Sequence, residues 1–462
     1  MAGGEDFNLA EEFASADFHE ERLEKRFRRT METPAKDPGK SIRASSASRA
    51  EAKAIYNLPG NEKFDREEII RARREGAVRR TEGQPVIPAV QDTAGVNYNS
   101  RQGTEGLGYV SGKTTGVNIH TCLAVTPEGL ALGAPDQTGY NRKEAKNASL
   151  TRERQKSRPI AEKESSRRLA AAERANRGIP EPVKLIYVCG REGDIYELFD
   201  HAIRKGYYFL IRICENRITA ENREIPDEIR GKGVKGRQKA RIPRDTRRGL
   251  KERGVILQIR HASFEIKKPQ IKNKNKELPP SLKANAIHVT EESPPEGVEP
   301  IEWFLMANEH VTDAEGAYEK VEYYIRRRKI GRFHHVLKSG RRVEELRERT
   351  MEKVKTLILM YSVIAVFIMN LTYLGRINPE LSCAVLFEED GRKLLYCLAN
   401  RTKEAPKKAC SVKEAVDYAG WIGGPERAPG GGPPGVKTVW TGLQKFYTLF
   451  EYRDMFSFAG QA

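Results

Sequence analysis

Cysteine is sparse in this chain and never paired at short range. Six residues in 462 (Cys122, Cys189, Cys214, Cys383, Cys397 and Cys410) are scattered with no CxxC. That scatter argues against a zinc site or a disulfide framework and fits a reducing cytosol. The opening residues, MAGGEDFNLAEEF, are acidic and lack an apolar h-region, so no signal peptide is expected. Long apolar runs are scarce as well. Residues 357–371 (LILMYSVIAVFIMNL) invite a membrane reading, but they fall short of the ~20 residues a span needs. Ser362 and Asn370 interrupt them, so a buried core helix is expected and no membrane partner.

Positive charge is what the chain has in excess. Lys and Arg number 81 against 64 Asp and Glu, a formal net charge of +17 and a pI near 9.5. That balance favours a polyanionic partner, nucleic acid before an anionic membrane surface, and says nothing of the fold. The length suffices for two or three domains with a sizeable core.

Residues 1–80 read as polar and helical. A cationic helix over residues 18–29 is broken by Pro34 and the DPGK stretch, and a serine-capped helix covers residues 41–56. Arg26 and Arg43 are among the cations this small domain would offer to DNA. From Val86 the texture changes to short apolar runs. VIPAVQD ends in Asp92, and Pro88 suggests an edge or irregular strand. Residues 117–125 alternate as a strand and residues 130–133 pair back on them. Residues 143–177 are basic, a helix or a mobile arm. Residues 184–189 (KLIYVC), 195–205 and 207–213 then read as strand, helix and strand, an α/β pattern. A β insertion spans about 215–300, with strands near 255–259 and 287–290, and residues 303–306 form another strand. Beyond the apolar helix, residues 383–387 and 392–397 read as strands or a short hairpin. The tail has two helical pieces split at residues 423–435.

One basic stretch organises the rest: residues 323–340, YYIRRRKIGRFHHVLKSG. No proline interrupts it, so a single helix is expected. Tyr324 and Arg327 then share a face at i, i+3, and Lys338 returns near that face about four turns on. An aromatic and two cations on one stripe suit a helix laid along a nucleic-acid backbone. The spacing resembles the Y-x2-R-x3-E-x6-K signature of DDE cut-and-paste transposases of the insertion-sequence-four family. Tyr324, Arg327 and Lys338 match, and Gly331 stands where that signature has its Glu. Asp92-Thr93 resembles the family's first carboxylate at the end of a strand. Residues 188–194, VCGREGD, resemble its D-R-E-x-D motif after a "VC" strand, with Gly190 in place of the first Asp.

The resemblance runs from about residue 15 to 450. It implies a ribonuclease-H-like α/β core with a β insertion (residues 81–375), an N-terminal helical domain that binds DNA ends (1–80) and a mostly helical dimerisation domain (376–462). It implies a bacterial, cytoplasmic, nucleoid-associated homodimer on double-stranded transposon ends. In the family, Mg²⁺ or Mn²⁺ held by three carboxylates clamps the attacking and leaving oxygens of phosphodiester cleavage. Here Asp92 is the one catalytic and metal-ligating residue of the three. The family's DNA contacts map to Tyr324, Arg327, Lys338, Arg212 and Trp303, the last by stacking on a flipped base. With two carboxylates replaced by glycine, DNA binding is expected to survive and metal binding and cutting to be impaired. A catalytically dead relative is the alternative.

Overall fold

The computed structural model describes residues 11–13, 15–36, 48–142, 159–242, 252–270, 278–340, 343–387, 389–424 and 434–451. Ten strands form one mixed sheet: β1 (Val86–Asn97), β2 (Gly108–Ser111), β3 (Thr114–Val125), β4 (Ala131–Tyr140), β5 (Lys184–Cys189), β6 (Tyr208–Arg212), β7 (Gly236–Ile242), β8 (Arg253–Lys267), β9 (Ser281–Glu292) and β10 (Glu302–Ala307). Their order across the sheet is β2-β3-β1-β5-β6-β10-β9-β8-β7, and β4 also pairs with β3. β5 runs parallel to β1 and to β6, and the remaining pairs are antiparallel. The segment β4-β3-β1-β5-β6 fits the expected ribonuclease-H-like sheet, and β7 to β10 extend it as the insertion.

Strand periodicity decides which helices lie where. Successive strand side chains point to opposite faces. Val90, Ile186, Val188 and Leu210 therefore share one core with helices α7 (Ala314–Arg326), α8 (Arg328–His335) and α9 (Met351–Ile377). Ala89, Tyr187, Phe209 and Ile211 turn the other way, onto α4 (Ser166–Ala175) and α5 (Tyr196–Arg204). Three helices precede the sheet, α1 (Glu21–Lys36), α2 (Arg49–Asn57) and α3 (Arg66–Arg79), and α6 (Ile225–Arg230) lies within the insertion. A third apolar cluster gathers α10 (Glu389–Asn400), α11 (Val412–Gly423) and α12 (Val436–Glu451). Gly442 lets α12 approach α11 closely: a Cβ there would fall 1.6 Å from the Ala419 carbonyl oxygen.

Several expectations need correction. β1 is central, between β3 and β5; Pro88 is tolerated because pairing with β3 begins one residue later, at Ala89. Helix α1 runs through Pro34 to Lys36. A proline in the last turn removes only a terminal hydrogen bond. Residues 383–387 and 392–397 are not strands but a 3-10 turn and part of α10. Residues 143–158 and Arg43 lie outside the described residues, and α2 begins at Arg49, capped by Ser48.

Helix α9, with 27 residues, exceeds its apolar run and is long enough to cross a membrane, yet 83% of its most apolar window is buried inside the protein. Its polar interruptions have partners. Asn370 donates to the Ala131 carbonyl (2.7 Å) and accepts from the Ala131 N–H (3.0 Å), closing the end of β4. Ser362 accepts from Arg73 of α3 at 2.8 Å. Asn370→Leu keeps the volume but strands both Ala131 groups, and we expect a loss of about 1–3 kcal/mol in a urea unfolding curve.

Candidate functional site

Asp92 and Gly190 meet where β5 ends beside the middle of β1, so Asp92 does not close its strand as the sequence suggests but sits midway along it. The parallel register pairs Gln91 with Cys189, so the next residues on each strand lie side by side. By strand alternation, Asp92 follows Val90 and Gly190 follows Val188, onto the face that α7 and α8 cover. Helix α7 ends at Arg326 and α8 starts at Arg328, so the expected single helix is broken at Arg327. There the Arg327 N–H donates to Tyr324, three residues back, and the Ile330 N–H donates to Arg327 in the same way. Beyond α8 the chain widens into a π-turn, Val336–Gly340, which carries Lys338. Tyr324 and Arg327 are thus joined through a 3-10-type bond, and Lys338 lies beyond α8 in the π-turn, not on one continuous α-helix.

Arg327, at this break, reaches Asp92 of β1 and Gly190 past the end of β5. Its guanidinium donates to Asp92 Oδ2 at 3.4 Å. It also lies over Gly190: a Cβ built there would sit 2.5 Å from Arg327 Nη2 and 2.7 Å from Cζ. Arg327 Nε is buried and has no hydrogen-bond partner among the described residues. Gly331, one turn further along α8, is exposed, and a Cβ there would meet nothing within 4 Å. Asp92 and Gly190 thus lie together under the Arg327 guanidinium, while Gly331 stands apart on the exposed side of α8.

Neither nearby acid stands free beside Asp92. Asp194 is buried and fully engaged. Its Oδ1 accepts from Arg217 Nε (2.8 Å) and Nη2 (2.6 Å), and its Oδ2 from the N–H groups of Cys214 (2.8 Å) and Glu215 (2.9 Å). Glu192 is exposed and pairs with Arg168 at 2.7 Å. Among the described residues no three His, Cys, Asp or Glu side chains are grouped to hold a metal ion.

Tyr324 and Trp303 pack edge to face, ring centroids 5.1 Å apart, and both are buried. Arg212 donates to the Glu302 backbone carbonyl at 3.0 Å, across the β6–β10 pair. Arg26 is exposed on α1, whose opposite side packs Phe27 among Phe13, Phe18 and Phe64.

Sequence reading missed the buried polar layer behind Asp92. Thr93 Oγ1 hydrogen-bonds His120 Nδ1 at 2.9 Å, and His334 of α8 hydrogen-bonds Thr121 at 3.2 Å. Thr121 also accepts from Gln137 at 3.0 Å, and Gln137 from Arg73 at 2.8 Å. A chain of contacts thus joins α3, in the N-terminal helical region, to α8. The pairs come from separate strands and helices, so no spacing in the sequence marks them. Burial, with the Lys338 charge adding, holds His334 down at a pKa of about 3, far below its usual 6.5. It is therefore neutral in the fold but protonates when unfolded below pH ~6.5. Its contribution is whole above that pH and is lost as pH falls toward 3. We expect His334 to cost about 2 kcal/mol of stability between pH 7 and pH 5. His334→Gln should flatten that slope in paired urea titrations; an unchanged slope would place the pH sensitivity elsewhere.

Comparison with known families accounts for both ends of the chain. Residues 8–64 match the transposase DNA-binding family, and residues 363–458 match the Tn5 transposase dimerisation domain. Neither match reaches the sheet. Among solved structures, a piggyBac transposase synaptic complex with hairpin DNA is similar at 11% identity and a TM-score of 0.33, over 96% of this chain and 72% of that one. A likeness that slight decides nothing. The two matched ends, flanking the α/β sheet, correspond to the DNA-binding and dimerisation parts of transposases and support a DNA transposition protein that binds DNA and dimerises.

Proposed function

We propose that this chain is a transposon-end-binding protein of the insertion-sequence-four type whose strand-cleaving centre is disabled. The observation that carries this reading is Arg327. Its guanidinium pairs with Asp92 and covers Gly190, where the family motif has a second carboxylate. Two divalent cations need several anionic oxygens around them, and Asp92 brings one carboxylate already neighboured by a cation. The residues present do not fit a two-metal centre, and no cutting step is assigned to this chain.

DNA binding does not depend on that centre. The matched N-terminal domain presents exposed cations such as Arg26, and Arg327 retains a buried donor, Nε, for a phosphate oxygen. The dimerisation domain brings two such chains, and so two DNA ends, together. Fluorescence anisotropy with duplexes from the ends flanking this gene tests the reading. Affinity should fall ~10³-fold or more between about 50 and 200 mM salt, as expected for six or more phosphate contacts. It should be unchanged by EDTA. Binding that ignores salt, or that EDTA abolishes, would overturn the proposal.

A further inference from the structure

We propose that Cys383 and Cys410 form a redox-responsive dithiol, converted by peroxide into an intramolecular disulfide that staples the dimerisation domain. Cys383 opens the 3-10 turn Cys383–Val385 that follows α9, and Cys410 precedes Ser411, the N-cap of α11. An isolated antiparallel bridge pairs Ser382 with Ser411. The Cys383 N–H donates to the Cys410 carbonyl (2.9 Å) and the Val412 N–H to the Leu381 carbonyl (2.7 Å). That backbone pairing puts the two cysteines opposite each other and holds their sulfurs 3.0 Å apart. The separation is about 1 Å more than a disulfide bond, so oxidation needs little movement.

The surroundings supply access and activation. Cys383 is fully buried in the C-terminal cluster, while Cys410 is half-buried and lines a cavity of about 250 Å³ with Arg392, Lys393 and Lys408. The contact between the sulfurs, with Arg392 assisting, draws the Cys383 thiol below its usual pKa and pushes Cys410 up. The thiolate is therefore favoured on buried Cys383, while the cavity exposes Cys410, whose thiol donates to it across 3.0 Å. Cys410 attacks a peroxide oxygen as it passes its proton to the Cys383 thiolate; the O–O bond breaks, the departing hydroxide takes a proton from solvent, and Cys410 is left as a sulfenic acid. The Cys383 sulfur then attacks Cys410, forming the S–S bond and releasing water as its own proton joins the departing hydroxyl. In sum, two thiols lose two hydrogens, and one peroxide becomes two waters. The bridge closes a loop between positions 27 residues apart that contains α10.

The test uses the full chain, reduced, then treated with hydrogen peroxide until exposed Cys214 begins to oxidise. Alkylation and non-reducing peptide mapping should find a Cys383–Cys410 linkage within one chain. The unfolding temperature should rise by roughly 5 °C. Cys383→Ser should lose both the linkage and the rise, and Cys397→Ser should keep both. Phenylarsine oxide, which bridges close dithiols, should protect Cys383 and Cys410 of the untreated chain from alkylation, a readout that needs no variant. Free Cys383 and Cys410 after Cys214 has oxidised would overturn the proposal. So would a linkage joining two chains, or overoxidation of Cys410 without a bridge.

Discussion

On the proposed reading, placing two carboxylates, Gly190→Asp with Gly331→Glu, is expected to raise Mg²⁺- or Mn²⁺-dependent nicking of the flanking DNA by at least ~10³-fold over the chain as it stands. The size follows from the several kcal/mol that metal ions contribute by stabilising charge at the transferring phosphate. The two positions should respond differently. Gly331 is exposed with open space around its Cβ, so a glutamate fits without displacing anything. Exchanging that glycine also removes a helix penalty of about 1 kcal/mol. Gly190 is the harder exchange, because a Cβ there must push aside the end of Arg327. A guanidinium terminus on a flexible stem can swing away, so the exchange is tolerated and Arg327 is released from its seat. Gly331→Glu alone should stay silent, since Arg327 still pairs with Asp92. If the double variant binds the DNA but cuts no better than the original chain, the assignment of these positions is wrong.

The strands of the site are legible in the sequence because alternation is local. Runs such as Lys184–Cys189 and Tyr208–Arg212 declare themselves by composition and short length, whereas the shared face of Asp92 and Gly190 follows from the register of β1 with β5, which the fold alone sets. The break at Arg327 is not legible. Gly331 weakens the helix between Tyr324 and Lys338, but the break falls earlier, at Arg327, which no local signal marks; the tertiary pairing of Arg327 with Asp92, 235 residues away, accompanies it. The segment RKLLYC misleads for a related reason. Its six residues are too few to separate a strand from a helix, and the burial of Gly391 and Leu395, four apart on α10, emerges only over the longer span Glu389–Asn400. The histidine and threonine layer behind Asp92 joins residues from β1, β3 and α8, and a single sequence carries no trace of such pairings.

Asp194→Ala is expected to cost about 3–5 kcal/mol of folding stability, the range for breaking a buried ion pair from one side. In the sequence Asp194 closes the D-R-E-x-D-like motif and so competes for a metal-ligand role. In the fold its carboxylate is turned inward, where both oxygens each accept two hydrogen bonds. Removing it leaves the buried Arg217 guanidinium, among the described residues, with the Asp194 backbone carbonyl (2.8 Å) and the Phe199 ring, 5.4 Å away. It also strands the N–H groups of Cys214 and Glu215 at the end of β6. Replacing both partners, Asp194→Ala with Arg217→Met, removes the unpaired charge along with its neutraliser. It should therefore recover a good part of the loss, leaving the two backbone donors as the residual cost. Urea unfolding of the two single variants and the double one measures the coupling directly. A coupling near zero would mean that Arg217 finds water or another partner, and Asp194 would return as a candidate ligand beside Asp92. A coupling of several kcal/mol would fix Asp194 as the clasp that holds the end of β5 to the end of β6, with no oxygen to spare for a metal.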